Sequence, residues 1–427
     1  MKILWIVNSV FGKHFELLGM GNIPFNSGGW YSAAYDSLKE EKDVELHIVG
    51  LSPKVTDIVY THDDYNNVFY LLPGATTTND QSFDSPRNQR LWRQIREIVK
   101  PDIVQLWGTE YQHGLCALMQ LQGIPQVVYI QGVLSEIARY YLAGIDRSVY
   151  RKHYTLRNFI KQDSSIRVQK HFFKRAQYEK KILQLAKSVI VENDWCEGIC
   201  RGIIGKDAQV FRSMLPINDV FFHHDWDSGK MEPFSIFTNA GGYNIKGHHF
   251  LFEALSIVIE KYPDVKVYIP GGTTLTRTGW KNNLKQKDYE HYLASLIQEY
   301  HLAPHIVWMG VMAQDDMAAQ LAKSHIYVMP SAIENHSSSL IEAMIVGTPC
   351  VSSFVGGVND FSLNKENILL YRSDDVITLA ANICRLFEDM TLCKHLSEGA
   401  KKMRTLRATN RIHEDFGVIY ASLLDKE

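Results

Sequence analysis

At 427 residues, with 45% hydrophobic and 22% charged side chains, the chain is long for one domain and ordinary enough in composition to bury two cores. A formal net charge of -2 excludes a global preference for polyanions such as nucleic acid, and no apolar run approaches the roughly 18 residues of a membrane-spanning helix. The opening "MKILWIVNSVFGKHFE" has too short an apolar run and no small-residue cleavage site for a secretory signal, so the chain reads as cytoplasmic.

In chain order, short runs rich in Val, Ile and aromatic residues recur at 3–7, 44–49, 68–72, 103–107, 127–130, 188–191 and 209–211. Stretches with helical spacing or turn residues separate them. Such runs lack the strict alternation of half-exposed strands, which predicts parallel sheet covered on both faces. A polar, Pro-ended segment, "HHDWDSGKMEP" (223–233), reads as a linker, after which the rhythm resumes at 234–238, 265–270, 305–310, 325–330 and 349–353. Two Rossmann-like α/β domains follow, expected over 1–225 and 226–405, with a terminal helix in 406–427 packing back on the first. Ligands of such sheets sit beyond the carboxyl ends of the strands.

The six cysteines, Cys116, Cys196, Cys200, Cys350, Cys384 and Cys393, lack the paired spacing of a zinc or redox site and read as reduced thiols. "DWD" at 225–227 imitates a metal-binding Asp-x-Asp but lies in the linker, and no cofactor or metal is expected.

The segment "SAIENHSSSLIEAMIVGTPCV" (331–351) carries the most chemistry. It predicts a loop that delivers Ser337, Ser338 and Ser339 to a helix N-terminus, where backbone N–H groups and the helix dipole attract a diphosphate. Glu342 falls about one turn inside that helix, placed to accept hydrogen bonds from vicinal hydroxyls. Glu334 begins the loop on the other side of the anion. A nucleotide sugar satisfies all three features; a solvated loop acid and a favourable first-turn charge are the plain alternatives for the two glutamates. Upstream, "TNAGGYNIKGHHFLFEAL" (238–255) places Lys246 and Gly247 in a strand-to-helix turn, and "NSGGWYSAAYDSL" (26–38) places Gly28 and Gly29 in another.

The Glu, seven residues, Glu-Ala-Met, Gly-x-Pro, Gly-Gly pattern of 334–360 resembles the retaining glycosyltransferases of the GT-B fold, in the family 4 group of glycosyl transferases group 1. Gly28-Gly29, Lys246-Gly247 and the C-terminal helix fall in the family's order. The resemblance implies two Rossmann-like domains facing a cleft, an acceptor-binding first domain and a nucleotide-sugar-binding second one. It further implies that Glu342 binds the ribose, Lys246 and Gly29 the diphosphate, and Glu334 with the amides of His336, Ser337 and Ser338 the transferred sugar. Gln131 stands where many relatives carry a His near that sugar. An Arg common in the turn before the Lys is absent, leaving Lys246 as the clear phosphate cation, and Asp360 replaces a Glu. The implied donor is a UDP-sugar, with a GDP-sugar as second choice; the implied acceptor is a glycan or lipid-linked glycan in surface-polysaccharide synthesis. An epimerase or phosphorylase on the same fold, or a non-catalytic nucleotide-sugar binder, stays open.

A dinucleotide-dependent oxidoreductase is disfavoured because "GMGNIP" (19–24) has Pro24 at its third glycine position. A glycosidase is disfavoured because the two glutamates flank one anion-binding turn. Finally, 147–187 holds 12 Lys+Arg against Asp163 and Glu179. With Tyr150, Tyr154, Phe159, Phe172 and Phe173 interleaved, it suits an anionic membrane surface or a phosphate-bearing acceptor, the alternative being a solvated helix pair with a packed inner face.

Overall fold

A computed structural model describes residues 1–20, 29–75, 83–238, 242–272, 274–276, 285–407 and 412–425. It contains two sheets. The first has the order β3-β4-β2-β1-β5-β6-β7-β8, from β1 (Lys2–Ile6), β2 (Glu45–Ser52), β3 (Val59–His62), β4 (Val68–Pro73), β5 (Ile103–Trp107), β6 (Gln126–Tyr129), β7 (Ser188–Val191) and β8 (Gln209–Arg212). All pairings are parallel except β3 on β4, an antiparallel edge. The second sheet is parallel throughout, in the order β11-β10-β9-β12-β13-β14. Its strands are β9 (Glu232–Thr238), β10 (Lys266–Pro270), β11 (Ile306–Gly310), β12 (Ser324–Met329), β13 (Cys350–Ser353) and β14 (Leu369–Tyr371). The continuous apolar runs are the buried central strands, as parallel pairing between helix layers demands. The edge strand β3 alternates half-buried and exposed residues, and β14 has three residues, so neither carries the run that marks the others.

The chain divides into one compact unit of Met1–Ser135, His171–Pro216 and Asn410–Glu427, and a second of Glu136–Lys170 and Ile217–Thr409. Two expected boundaries therefore shift. The first domain was expected to run unbroken to 225, but 136–170 is clamped into the second unit by polar contacts. Asn244 donates to the Tyr150 hydroxyl at 2.8 Å, the Ser165 amide donates to Asp288 at 2.7 Å, and His249 Nε2 lies 3.0 Å from the Ala143 carbonyl. The expected linker is no linker either. Trp226 is buried and donates to the Ser324 carbonyl at 2.8 Å, while Asp225 pairs with Lys401 at 2.9 Å and Arg404 at 3.1 Å. That second pairing gives the "DWD" sequence a packing role.

The helix Ile412–Leu424 belongs to the first unit, where Trp5 donates to the Tyr420 hydroxyl at 3.1 Å and that hydroxyl donates to Gln105 at 2.7 Å. The relay satisfies polar groups that β1 and β5 carry into the core. Of the rings between the cations of 147–187, Tyr150 and Phe172 are buried, whereas Tyr154, Phe159 and Phe173 are exposed. The six cysteines are free thiols, five of them buried.

Candidate active site

The second unit's site is assembled by two glycine turns. Gly247 follows Lys246 with φ +71°, and a Cβ there would collide with the Pro330 carbonyl at the end of β12. The Ala332 amide then donates to the Ile245 carbonyl at 2.8 Å. Gly356, with φ +50°, lies equally close to the carbonyl of Glu334, which also accepts from the Gly357 amide at 3.2 Å. Only glycine fits either turn without backbone movement, and together they fix the loops of Lys246 and Glu334 against each other.

The side chains complete the join. Lys246 Nζ lies 2.7 Å from Glu334 Oε1, with the two side chains 28% and 10% exposed. The Ser331 hydroxyl donates to the same oxygen at 2.6 Å. Glu334 is thus a held carboxylate, not the solvated loop acid that its sequence position alone also allowed.

Next to this pair is a cavity of about 310 Å³ whose lining includes Thr238, Lys246, Gly271, Met312, Ser339 and Glu342. It lies beyond the carboxyl ends of β9, β10 and β11, where an open parallel sheet binds its ligand. Its size falls within the range of small-molecule sites, on the order of 300–1,000 Å³. Glu342 sits in the helix Ser338–Val346, and burial pushes its carboxyl up to about 7. Lys246 and Glu342 line one cavity, as a diphosphate with its ribose requires.

Ser337 begins the same helix and Ser338 is its first residue; Ser339 accepts from the Tyr327 hydroxyl at 2.9 Å. The helix dipole adds partial positive charge at this end. His336 Nε2 lies 2.6 Å from an Arg407 guanidinium nitrogen, so a second cation stands beside the loop. Sequence reasoning missed Arg407 because some seventy residues separate it from the motif it serves.

The first unit contributes its own cluster. Gly29 opens the helix Gly29–Leu38, and Gly28 lies outside the described residues. Gln131 follows β6, and its amide oxygen shares the space over Gly108 with the carboxyl of Glu110, just past β5. Asn8, just past β1, donates to Glu110 at 2.6 Å and to the Trp107 carbonyl at 2.8 Å. Burial pushes the Glu110 carboxyl up to about 7. Glu110 was also missed, although "GTE" directly after "IVQLW" was the available signal: an acid at the carboxyl end of a buried strand. A larger cavity of about 360 Å³, lined by residues such as Gln126, Ser188 and Gln209, lies at the opposite, amino ends of β6, β7 and β8.

Residues 221–403 match the family described as Glycosyl transferases group 1. Over that stretch the chain is similar to group 1 glycosyltransferases, and its fold is GT-B. The chain is similar to N-acetyl-alpha-D-glucosaminyl L-malate synthase of Bacillus anthracis, 26% identical over 26% of this chain and 28% of that protein. It also resembles the putative glycosyltransferase YtcC of Bacillus subtilis, 24% identical over 42% of this chain and 43% of that one. The chain thus spans less than half the length of these curated relatives in its matches. Among solved structures, sucrose-phosphate synthase from Thermosynechococcus elongatus superposes over 100% of both chains with a TM-score of 0.67 at 17% identity. Anabaena Alr3699/HepE in complex with UDP and glucose does so with a TM-score of 0.63 at 15% identity. At such identities the likeness is one of fold. Among the described residues, no helix is long and apolar enough to cross a membrane.

Proposed function

We propose that the protein is a retaining glycosyltransferase of the family 4 group, moving a sugar from a nucleoside-diphosphate sugar to a glycan or lipid-linked glycan. The observation that carries this is the Lys246–Glu334 pair at 2.7 Å beside a cavity shared by Lys246 and Glu342. In this reading Glu342 accepts hydrogen bonds from the ribose hydroxyls and Lys246 balances the diphosphate. Glu334 turns to the hydroxyls of the transferred sugar, joined by the amides at His336, Ser337 and Ser338. In the first unit, Gln131 and Glu110 offer hydrogen bonds to hydroxyl groups.

Chemically, the bond from the anomeric carbon to the diphosphate oxygen breaks and a bond to the acceptor oxygen forms on the face just vacated, while the acceptor proton leaves with the departing phosphate. The chain supplies positioning and electrostatic help to the leaving group. The resemblance of 334–360 to retaining enzymes supports the retaining stereochemistry, and the complex of Alr3699/HepE with UDP supports uracil as the base.

Charge on the diphosphate is met by Lys246 and the helix dipole, so transfer proceeds without a divalent ion. Activity should survive EDTA; loss restored by manganese would contradict this. The reading as a whole is tested by thermal shift across UDP-, GDP- and ADP-sugars. A ligand at 100 times its dissociation constant adds about 2.7 kcal/mol, and a flat response to every donor would sink the proposal. Incubating the stabilising donor with candidate glycans and recording the anomeric proton of the product then reads the stereochemistry.

A further inference from the structure

The helical turn Leu156–Lys161 is amphipathic the wrong way round. Leu156, Phe159 and Ile160 are 56%, 62% and 65% exposed, and Tyr154 just before them is 46% exposed. The i, i+3, i+4 spacing of the three sets them on one side of the turn. The inner side is polar: Asn158 is fully buried and closes a capping box with Thr155. A surface helix ordinarily buries its apolar stripe and shows its polar one.

Polar contacts within the second unit hold this inversion in place. The Thr155 hydroxyl donates to the Gln286 carbonyl at 2.8 Å, the Ser165 hydroxyl donates to Asp288 at 2.8 Å, and the Nδ1 atoms of His153 and His291 lie 3.1 Å apart. The apolar ridge therefore stands on a fixed base, not on a loose loop that could fold it inward.

Cations surround the ridge. Arg151, Lys152 and Lys161 are exposed, and in the second unit's 147–170 seven Lys+Arg stand against Asp163 alone. Asp163 is itself engaged by Arg157 at 2.5 Å and Asn158 at 3.1 Å.

We propose that this turn docks the protein on an anionic lipid surface. Leu156, Phe159 and Ile160 enter the boundary between headgroups and acyl chains, and Arg151, Lys152 and Lys161 meet lipid phosphates. Charge decides between occupants. A second copy seated on the ridge about a two-fold axis would bring the same three cations against themselves, whereas an anionic bilayer complements them. The inference goes beyond the donor reading and stands apart from it, since adsorption to lipid needs no nucleotide.

The test is co-sedimentation of the full chain with phosphatidylglycerol-containing vesicles and with pure phosphatidylcholine vesicles, at low and high salt. Wild type should bind the anionic vesicles and leave them as salt rises. Replacing Arg151, Lys152 and Lys161 by Glu should lower partitioning by about 100-fold or more. A Leu156→Ser, Phe159→Ser, Ile160→Ser triple should release the protein while its melting temperature and donor binding hold. Wild type that ignores anionic vesicles at low salt, or an apolar triple that still binds them, overturns the proposal. So does a wild-type dimer in light scattering that the apolar triple converts to monomer, because the ridge is then a protein interface.

Discussion

The donor-side loops of the second unit and the Glu110–Gln131 cluster of the first are built by different means. In the second unit, backbone touches backbone: Gly247 against Pro330, Gly356 against Glu334, with the Ile245 carbonyl accepting from the Ala332 amide and the Gly357 amide donating to the Glu334 carbonyl. The charged pair lies across a join that is already fixed. In the first unit, side chains from the ends of β1, β5 and β6 meet one another, with the Asn8 amide as the bond between them. The first kind of site tolerates little change in its frame. The second tolerates a changed side chain and loses only that group's contribution.

The comparison breaks most visibly at the glycines. Gly247→Ala and Gly356→Ala each combine left-handed strain with collision against a carbonyl, and each should cost at least about 3 kcal/mol, read as a lowered unfolding midpoint with loss of donor binding. Gly242→Ala is the control: φ is +87° but nothing among the described residues lies near its Cβ, so only about 1 kcal/mol is expected. Equal effects at the three positions would show that the turns are strained but not clamped.

Steady-state kinetics separates the polar groups. Glu342→Ala and Lys246→Ala each remove a charge-assisted bond of about 2 kcal/mol, so the donor KM should rise roughly 30-fold. Glu334→Ala should act chiefly on kcat, because the surroundings of the sugar change in the transition state. A Glu334→Ala enzyme with wild-type turnover contradicts its assigned role.

Proton linkage gives a smaller effect. Burial holds the Glu342 carboxyl at about 7, above the ordinary carboxylate range. The protonated form is the one the empty site favours, so its stabilising contribution is present at low pH and is lost as pH rises through about 7. Ribose hydroxyls need the ionised form as acceptor, so donor affinity should rise with pH below that value, by up to about tenfold per unit. Titration calorimetry at pH 6 in two buffers of different ionisation enthalpy should detect proton release. Glu342→Gln should abolish it; release unchanged in that variant assigns the proton to another group.

Smallest are the effects in the first unit. Glu110→Gln should weaken acceptor use by about 1 kcal/mol, a several-fold rise in acceptor KM, and Gln131→Ala, assigned to the transferred sugar, should lower kcat by a similar factor; both should leave binding of UDP itself unchanged. A lost UDP affinity in Gln131→Ala would erase the division of labour between the two clusters.

What the sequence disclosed follows the same line. The motif of 331–360 was legible because backbone geometry writes itself locally: glycines where carbonyls approach, serines where a helix begins, glutamates at fixed spacing. Strand positions were legible for a similar reason, as buried parallel strands are continuous apolar runs. Arg407 was not legible, since its partner His336 comes from a distant chain position that only the fold brings near; Glu110 was legible as an acid past a buried strand, but its partner Asn8 was not. The shifted boundaries have the same cause: Trp226 and Tyr150 are buried in the second unit's core with their polar atoms bonded to Ser324 and Asn244, partners no local pattern names. The inverted turn at Leu156–Lys161 was masked by composition, where two buried rings counted as much as the exposed ones.

The central claim, that the cavity around Lys246 and Glu342 holds a nucleoside diphosphate, is tested most directly by calorimetric titration of UDP alone into the protein at pH 8. Wild type and Gln131→Ala should bind one equivalent with matching affinity, and Glu342→Ala should bind at least tenfold more weakly. Equal affinity in wild type and Glu342→Ala would place the nucleotide elsewhere and contradict the account.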